Sequence, residues 1–255
     1  MQDIYEELVK VRARGEEAAL VTLTSAHGST PREQGAKMLV RRDGSIMGTI
    51  GGGRIEELVI KESLEVIKKG KPKRLSYTLK EGEETGMVCG GDVEIFVEPI
   101  LPSPTLFIFG GGHIALCLAS MAKMTGFKIV VVDDRPEFAN PERFPEAEQT
   151  LVADFSQVFS QLEVDEASYL VIVTYAHKGD EVALEGALKT RAKYIGMIGS
   201  RSKNELVFSH LRDKGFSPEL LDRVQAPIGL EINAQTPEEI AVSILAQLIQ
   251  VRRSS

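Results

Sequence analysis

The chain has 255 residues, 43% of them hydrophobic, and carries 30 Lys and Arg against 37 Asp and Glu, a formal net charge of −7. That length and apolar content supply one large core or two modest ones, and the acidic balance argues against non-specific binding to nucleic acid or to an anionic membrane, whose phosphates it repels at long range. No run of about 18 apolar residues predicts a membrane-spanning helix; residues 1–7 lack a signal-peptide pattern; and two cysteines, Cys89 and Cys117, form neither a CxxC pair nor a disulfide framework, so a cytoplasmic location is expected.

Ile4, Leu8 and Val11 recur at helical spacing and predict a helix over residues 2–14. A strand follows over 18–24. The stretch from His27 to Met38 is polar, bent and of mixed charge. Residues 37–40 and 45–50 then read as a hairpin closed by Asp43-Gly44. Next comes Gly51-Gly52-Gly53, leading into a helix with Ile55, Leu58, Val59 and Val66 on one stripe. A glycine run before a helix offers backbone N–H groups to an anion, although it also serves as a plain tight turn. A second hairpin is expected from 73–79 and 93–97. The loop between them contains Gly86-Met87-Val88-Cys89-Gly90-Gly91. A thiolate there could bind a soft metal or carry sulfur; the alternative is a small buried residue in a turn.

Leu101-Pro102-Ser103-Pro104 suits a stiff extended connection. The expected domains are therefore 1–100 and 105–255, with a linker over 101–104. Beyond it, strands are expected at 105–109, 128–134, 150–153, 169–174 and 194–198. Helices are expected at 113–123, near 156–161, at 180–189, at 203–214 and after the capping box Thr236-Pro237-Glu238-Glu239. Cys117 falls at core spacing on the first of these helices. Near-continuous apolar strands between helices imply a mainly parallel sheet covered on both faces. The expected fold class is α/β: a C-terminal Rossmann-like domain and a smaller glycine-rich α+β N-terminal domain.

Gly110-Gly111-Gly112-His113-Ile114-Ala115 has the form G-x-G-x-x-G/A between a strand and a helix. Asp133 and Asp134 end the next strand 23 and 24 residues after Gly110, near the spacing of a ribose-binding carboxylate. Gly112 would let a pyrophosphate approach. His113 could touch a phosphate or cap the helix. His177 and Asp180 sit at the edge where open parallel sheets bind ligands, as an acid–base or metal-binding pair or as structural groups. Arg32, Lys37, Arg54, Arg201 and Lys203 lie in or beside Gly- and Ser-rich loops, with Ser200 among them, and could gather around a phosphate. Each of these is alternatively a solvated charge. Glu56 could orient a ligand amine or favour its helix start. A Gly-x-Ser-x-Gly elbow and a Walker A sequence are absent from the sequence, which disfavours serine hydrolase and P-loop kinase chemistry.

In their order these motifs resemble the XdhC/CoxI accessory proteins, the maturation factors of xanthine dehydrogenase. The resemblance covers nearly the whole chain. It rests on the His27–Met38 stretch, Gly48-Thr49-Ile50-Gly51-Gly52-Gly53-Arg54-Ile55-Glu56, Cys89-Gly90-Gly91, Gly110-Gly111-Gly112-His113 and Asp133-Asp134-Arg135-Pro136. It continues in Tyr194-Ile195-Gly196-Met197-Ile198-Gly199-Ser200-Arg201-Ser202-Lys203, Ala226-Pro227-Ile228-Gly229-Leu230 and Thr236-Pro237-Glu238-Glu239-Ile240-Ala241. It implies a cytoplasmic, commonly dimeric chaperone with no catalytic residue. Such a protein binds molybdenum cofactor, protects it during sulfuration and assists its insertion into a xanthine dehydrogenase-like apo-enzyme. A cysteine desulfurase is a further implied partner. Cofactor contacts are expected from Arg32, Lys37, Gly51, Gly52, Gly53, Arg54, Glu56, Cys89, Gly90 and Gly91. In the second domain they are expected from Gly110, Gly112, His113, Asp133, His177, Asp180, Ser200, Arg201 and Lys203. Cys89 is the expected contact to molybdenum or sulfur. Two other readings stay open: an NAD(P)-dependent oxidoreductase, favoured by the Gly110 loop and Asp133, and a nucleotide-sensing interaction module.

Overall fold

The computed structural model describes residues 3–79, 91–175 and 177–254, without the side chain of residue 177. Contacts divide it into a unit ending at Pro102 and a unit running from Ser103 to Ser254.

The first unit opens with α1 (Ile4–Ala13), whose N-cap Asp3 accepts a hydrogen bond from the Tyr5 N–H. It continues through β1 (Ala18–His27), β2 (Lys37–Arg41), β3 (Ile46–Gly48), α2 (Gly53–Lys69), β4 (Lys73–Thr78) and β5 (Asp92–Ile100). The strands form one antiparallel sheet in the order β3-β2-β1-β5-β4. Alternation along the strands sends Ala19, Val21, Val40, Ile95 and Val97 to one face, where the helical stripe Ile55, Val59 and Val66 of α2 meets them. Val11 of α1 packs with Ala18 and Leu39 in a separate cluster.

Register decides where the loops of this unit gather. His27 pairs with Asp92, Thr78 with Asp92, Thr22 with Lys37, and Met38 with Gly48. The β1–β2 connection, the β3–α2 turn and the β4–β5 connection therefore all leave from the same end of the sheet.

The second unit contains β6 (Thr105–Phe109), α3 (His113–Met124), β7 (Lys128–Asp133), β8 (Gln149–Val152), β9 (Ser168–Ile172) and α4 (His177–Leu188). It continues with β10 (Tyr194–Met197), α5 (Arg201–Asp213), the single turn α6 (Pro218–Leu221), β11 (Val224–Gln225) and α7 (Pro237–Arg253). Its six strands lie in the order β11-β10-β9-β6-β7-β8, and every described pair is parallel. Strand order reverses between β6 and β9, which makes this a doubly wound Rossmann sheet with its switch point at those two strands. Phe107, Val130, Leu170 and Ile172 pack against Leu184 of α4 and Leu211 of α5. Leu106, Ile108, Val131 and Val171 pack against Leu118 of α3 and Ile244 of α7. Burial on both faces is why these strands read as unbroken apolar runs.

At the start of α7, the Thr236 hydroxyl accepts from the Glu239 N–H at 3.3 Å, and Glu239 accepts from the Thr236 N–H at 3.2 Å, completing the capping box. The helix expected near 156–161 is only a one-turn 3-10 helix, Val158–Ser160. The Asp154 carboxylate and carbonyl both bond into this turn, while Val158 is buried and Phe159 stacks on Phe109 at 5.1 Å. Tertiary packing and a local aspartate turn replace helical propagation there.

Candidate functional site

At the gathered end of the first sheet, glycines mark places where backbone meets backbone. A Cβ at Gly91 would lie 2.5 Å from the His27 carbonyl oxygen and 2.6 Å from that of Ser29. The N–H of Leu79 donates to the Gly91 carbonyl at 2.8 Å, closing the base of the β4–β5 connection on the 27–30 turn. Cys89 and Gly90 belong to that connection and lie outside the described residues. On another side of the same turn, a Cβ at Gly51, where φ is 137°, would come 2.5 Å from Pro31 Cγ.

The turn entering α2 is filled by the chain itself. Glu56 Oε2 accepts from the Thr49 hydroxyl at 2.6 Å, the Gly52 N–H at 3.1 Å and the Ile50 N–H at 3.3 Å. Thr49 Oγ1 in turn accepts from the Gly51 N–H at 3.1 Å. The anion expected at this glycine run is thus the Glu56 carboxylate, and the N–H groups of residues 50–52 are already used. Glu56 Oε2 thus acts on its own turn, and none of these bonds uses Oε1. Gly53 and Arg54 are exposed, with Arg54 bonded to Glu57 at 2.9 Å. Lys37 Nζ donates to Thr22 Oγ1 at 3.1 Å, and Arg32 is exposed.

In the second unit, the three residues between β6 and α3 differ from one another. At Gly110, with φ of 105°, a Cβ would stand 2.5 Å from the Val173 carbonyl oxygen. At Gly111 it would collide with the Phe138 carbonyl. At Gly112, with φ of −72°, it would meet nothing within 4 Å. The first two glycines are demanded by packing and the third is not. His113 is exposed at the helix start.

Asp133, expected to face a ribose, is fully buried. Its carboxylate accepts from the Gly111 N–H at 2.8 Å, the Arg135 N–H at 3.1 Å, and Arg135 Nε and Nη2 at 2.9 and 3.0 Å. Four donors occupy the about four acceptor positions of a carboxylate. Asp133 therefore fastens the glycine loop and Arg135 together. Burial raises the Asp133 carboxyl, but the Arg135 guanidinium and the two N–H groups together hold it below the usual range. Hydrogen bonding to Asp133 raises the Arg135 guanidinium in turn.

Arg135 is also sandwiched. Its guanidinium carbon lies 3.7 Å from the Phe138 ring centroid and 4.0 Å from that of Tyr175. The Tyr175 ring is exposed, and its hydroxyl donates to Asp134 Oδ2 at 3.3 Å. In the sequence Arg135 stands out only inside a motif, and Phe138 and Tyr175 do not stand out at all. An Arg two residues beyond a strand-end acid is the signal that could have found this cluster.

Further along the same edge, Asp180 is fully buried and accepts from the Thr174 N–H at 3.1 Å and hydroxyl at 2.7 Å. Its other oxygen accepts from Lys203 Nζ at 2.6 Å. Asp180 and Lys203 thus form an ion pair between the first turns of α4 and α5; the expected pair of Asp180 with His177 involves a side chain outside the described residues. Ser200 caps α5 by accepting from the Lys203 N–H at 3.3 Å, so Ser200 and Lys203 both serve local structure. Arg201 is exposed. Among the described residues, no three His, Cys, Asp or Glu side chains group to hold a metal ion, and no helix is long and apolar enough to cross a membrane.

Residues 106–248 match the model of the XdhC Rossmann domain, and residues 11–78 match that of the XdhC and CoxI family. The chain belongs to the XdhC and CoxI family. It is 35% identical over 256 residues to Escherichia coli K12 protein YqeB, covering 99% of this chain and 47% of that one. Over 159 residues it is 33% identical to a probable xanthine dehydrogenase subunit of Bacillus subtilis 168, covering 62% of this chain and 46% of that one. Over 297 residues it is 23% identical to the molybdenum cofactor insertion chaperone PaoD of Escherichia coli K12, covering 96% of this chain and 86% of that one. The chain thus spans about half the length of the first two relatives. A solved structure described as a xanthine dehydrogenase from Bacillus halodurans superposes with a TM-score of 0.56 at 23% identity, covering 98% of this chain and 95% of that one, a likeness of fold.

Proposed function

We propose that this XdhC/CoxI family protein handles molybdenum cofactor during maturation of a xanthine dehydrogenase-family enzyme. In this reading it takes up the cofactor, shields it while the terminal sulfur is installed, and passes it to the apo-enzyme. The observation that carries the reading is the gathering, at one sheet end of the first unit, of the 27–37 segment, the Gly51–Gly53 turn and the base of the Cys89 connection. Similarity to the molybdenum cofactor insertion chaperone PaoD supports it.

The cofactor is cargo with a phosphate, a flat ring system and a dithiolene-held metal. Such a metal asks the protein for one soft ligand rather than a full set, and Cys89 would supply it, or would carry the sulfur. With the 50–52 N–H groups spent on Glu56 and Thr49, the phosphate falls to Arg32, Arg54 and Lys37. The proposal places the protein in the cytoplasm as a homodimer, with a cysteine desulfurase and the apo-dehydrogenase as partners.

The test is anaerobic mixing of purified protein with molybdenum cofactor, then gel filtration and assay of retained molybdenum and pterin, with Cys89→Ala alongside. The parent should retain close to one equivalent and Cys89→Ala clearly less. Equal retention by both removes the role of Cys89, and no retention by folded parent protein removes the carrier reading.

A second reading is favoured by Gly112, which leaves open space beside the first turn of α3. Close approach of a ligand phosphate explains a glycine there, so a nucleotide at this edge is proposed as a second ligand, NAD(P) included. Turnover of an alcohol or carbonyl with NAD(P) would make the protein an oxidoreductase. Binding without turnover that alters docking to the dehydrogenase would make it a nucleotide-sensing module.

A further inference from the structure

The far end of the first sheet, away from the gathered loops, is basic. Lys68, Lys69, Lys71, Lys73 and Arg74 are five cations in seven residues of a chain whose net charge is −7. They run from the last turn of α2 into β4, and all five are exposed. Lys69 meets Glu65 at 3.3 Å and Lys73 meets Glu62 at 2.6 Å, while Lys68, Lys71 and Arg74 make no ion pair among the described residues. Where α2 gives way to β4 lies a groove of about 320 Å³, with Val66 and Pro72 as its apolar surface and Lys69, Lys71 and Lys73 around it; the Glu62 and Glu65 carboxylates on its helix side are taken up by Lys73 and Lys69. β4 is also an edge strand, paired with β5 alone among the described strands. The Leu79 N–H donates to the Gly91 carbonyl one step beyond the Thr78–Asp92 pair, so the hydrogen-bonded pairs along β4 fall at Leu79, Tyr77, Leu75 and Lys73. The N–H and C=O groups of Arg74 and Ser76 therefore point away from β5, out of the sheet edge.

We propose that this edge docks an extended acidic segment of a partner protein, which adds to the sheet as a strand beside β4. The main-chain groups of Arg74 and Ser76 supply the hydrogen bonds. Side chains of the added strand alternate between the two faces of the sheet. On the face that carries Arg74 and Ser76, carboxylates meet the Arg74 guanidinium. On the α2 face, an aliphatic side chain enters the groove against Val66 and Pro72. Lys68 and Lys71, beside the start of β4, meet carboxylates at the end of the segment. Charge chooses the occupant. Lysines in the last turn of a helix stabilise its end, and lysines on an edge strand turn away neutral and basic strands. An acidic strand is the one class that the same charges attract. A second copy of this chain, pairing edge to edge through β4, would set Lys73 and Arg74 beside like charges. A nucleic acid has no amide groups to pair with the edge, and the net charge of −7 repels its phosphates at long range. The docking edge lies at the opposite end of the sheet from the proposed cofactor seat and stands or falls apart from it.

The experiment is fluorescence anisotropy of a short labelled peptide alternating Glu and Val, titrated with the full chain. Its comparators are the same peptide N-methylated at every Glu or at every Val, a peptide alternating Lys and Val, and a short single-stranded DNA. The protein variants are Lys71→Glu with Arg74→Glu, and Ser76→Pro, which removes an outward N–H that β5 does not use. Circular dichroism verifies that each variant is folded. The Glu-Val peptide should bind at least about tenfold more tightly than the Lys-Val peptide or the DNA. One of its two N-methylated forms, the one blocked along the edge that faces β4, should bind at least about tenfold more weakly than the other. The charge-reversed variant should lose at least about tenfold in affinity, and Ser76→Pro about three- to tenfold. Equal binding of the peptide and both N-methylated forms, or unchanged binding by the charge-reversed variant, overturns strand addition at this edge. DNA binding as tight as that of the Glu-Val peptide overturns it in favour of a nucleic-acid patch. Absence of binding of the Glu-Val peptide to folded parent protein overturns it outright. If Ser76→Pro does not fold, the N-methylated peptides decide the main-chain part by themselves.

Discussion

The turns entering α2 and α3 are both glycine triplets between a strand and a helix, and they are closed differently. At Gly51–Gly53, one carboxylate and one hydroxyl of the same segment, Glu56 and Thr49, take the N–H groups of residues 50, 51 and 52. At Gly110–Gly112, the fastening carboxylate comes from the neighbouring strand and takes the N–H of Gly111, while Gly112 borders open space. The first turn is therefore stabilised by its own anion, while in the second no atom lies within 4 Å of a Cβ at Gly112. A glycine-rich turn before a helix is a binding site only where the chain has not already satisfied it.

The strongest test of this contrast is the fastener itself. Asp133→Ala leaves the Arg135 guanidinium without its partner and the Gly111 N–H without its acceptor. The second unit should lose about 3–5 kcal/mol, read by urea unfolding. A loss under about 1 kcal/mol would mean that Asp133 does not fasten the loop. Glu56→Ala should cost the first unit about 1–3 kcal/mol. Hydrogen exchange should then show the Ile50 and Gly52 amides opening at least about tenfold more often, in line with that loss. Unchanged exchange would erase the difference between the turns.

The pH dependence is smaller and has a definite sign. Burial raises the Asp133 carboxyl, but its hydrogen bonds hold it below its unfolded value, so it contributes stability above the unfolded carboxylate range. That contribution is lost as pH falls through the lower, folded value. The urea midpoint of the second unit should drop below about pH 4, less steeply in Asp133→Asn. Glu181, lowered chiefly by its hydrogen bond from His210, acts in the same direction. The smallest effect on stability belongs to Gly112→Ala. With φ of −72° and nothing within 4 Å, it should change stability by at most about 0.5 kcal/mol. It should nevertheless weaken nucleotide binding, and unaltered binding would show that the open space is not used.

Much of the fold is readable in the sequence because it depends on periodicity and punctuation. The unbroken runs Leu106–Phe109 and Ile129–Val132 mark strands buried on both faces, and Thr236-Pro237 with Glu239 marks the start of α7. What is not readable depends on where side chains aim. The sequence places Asp133 at a strand end but does not say that Arg135 turns back upon it. It does not show that Lys203, 23 residues from Asp180, reaches the Asp180 carboxylate through the parallel crossover to α5. The bonds from the Ile50 and Gly52 N–H groups to Glu56 Oε2 are not readable either, because they exist only once the turn has closed. The short helix expected at 156–161 fails for a similar reason, since the Asp154 turn and burial of Val158 decide that segment.

The central claim, that this chain carries molybdenum cofactor to an enzyme, is tested most directly by transfer. Cofactor-loaded protein and an equal amount of free cofactor are each given, after the same exposure to air, to a xanthine dehydrogenase-family apo-enzyme, and recovered activity is measured per molybdenum. The account predicts clearly greater recovery from the loaded protein, with the advantage reduced in Cys89→Ala. Equal recovery from free cofactor and loaded protein would contradict it.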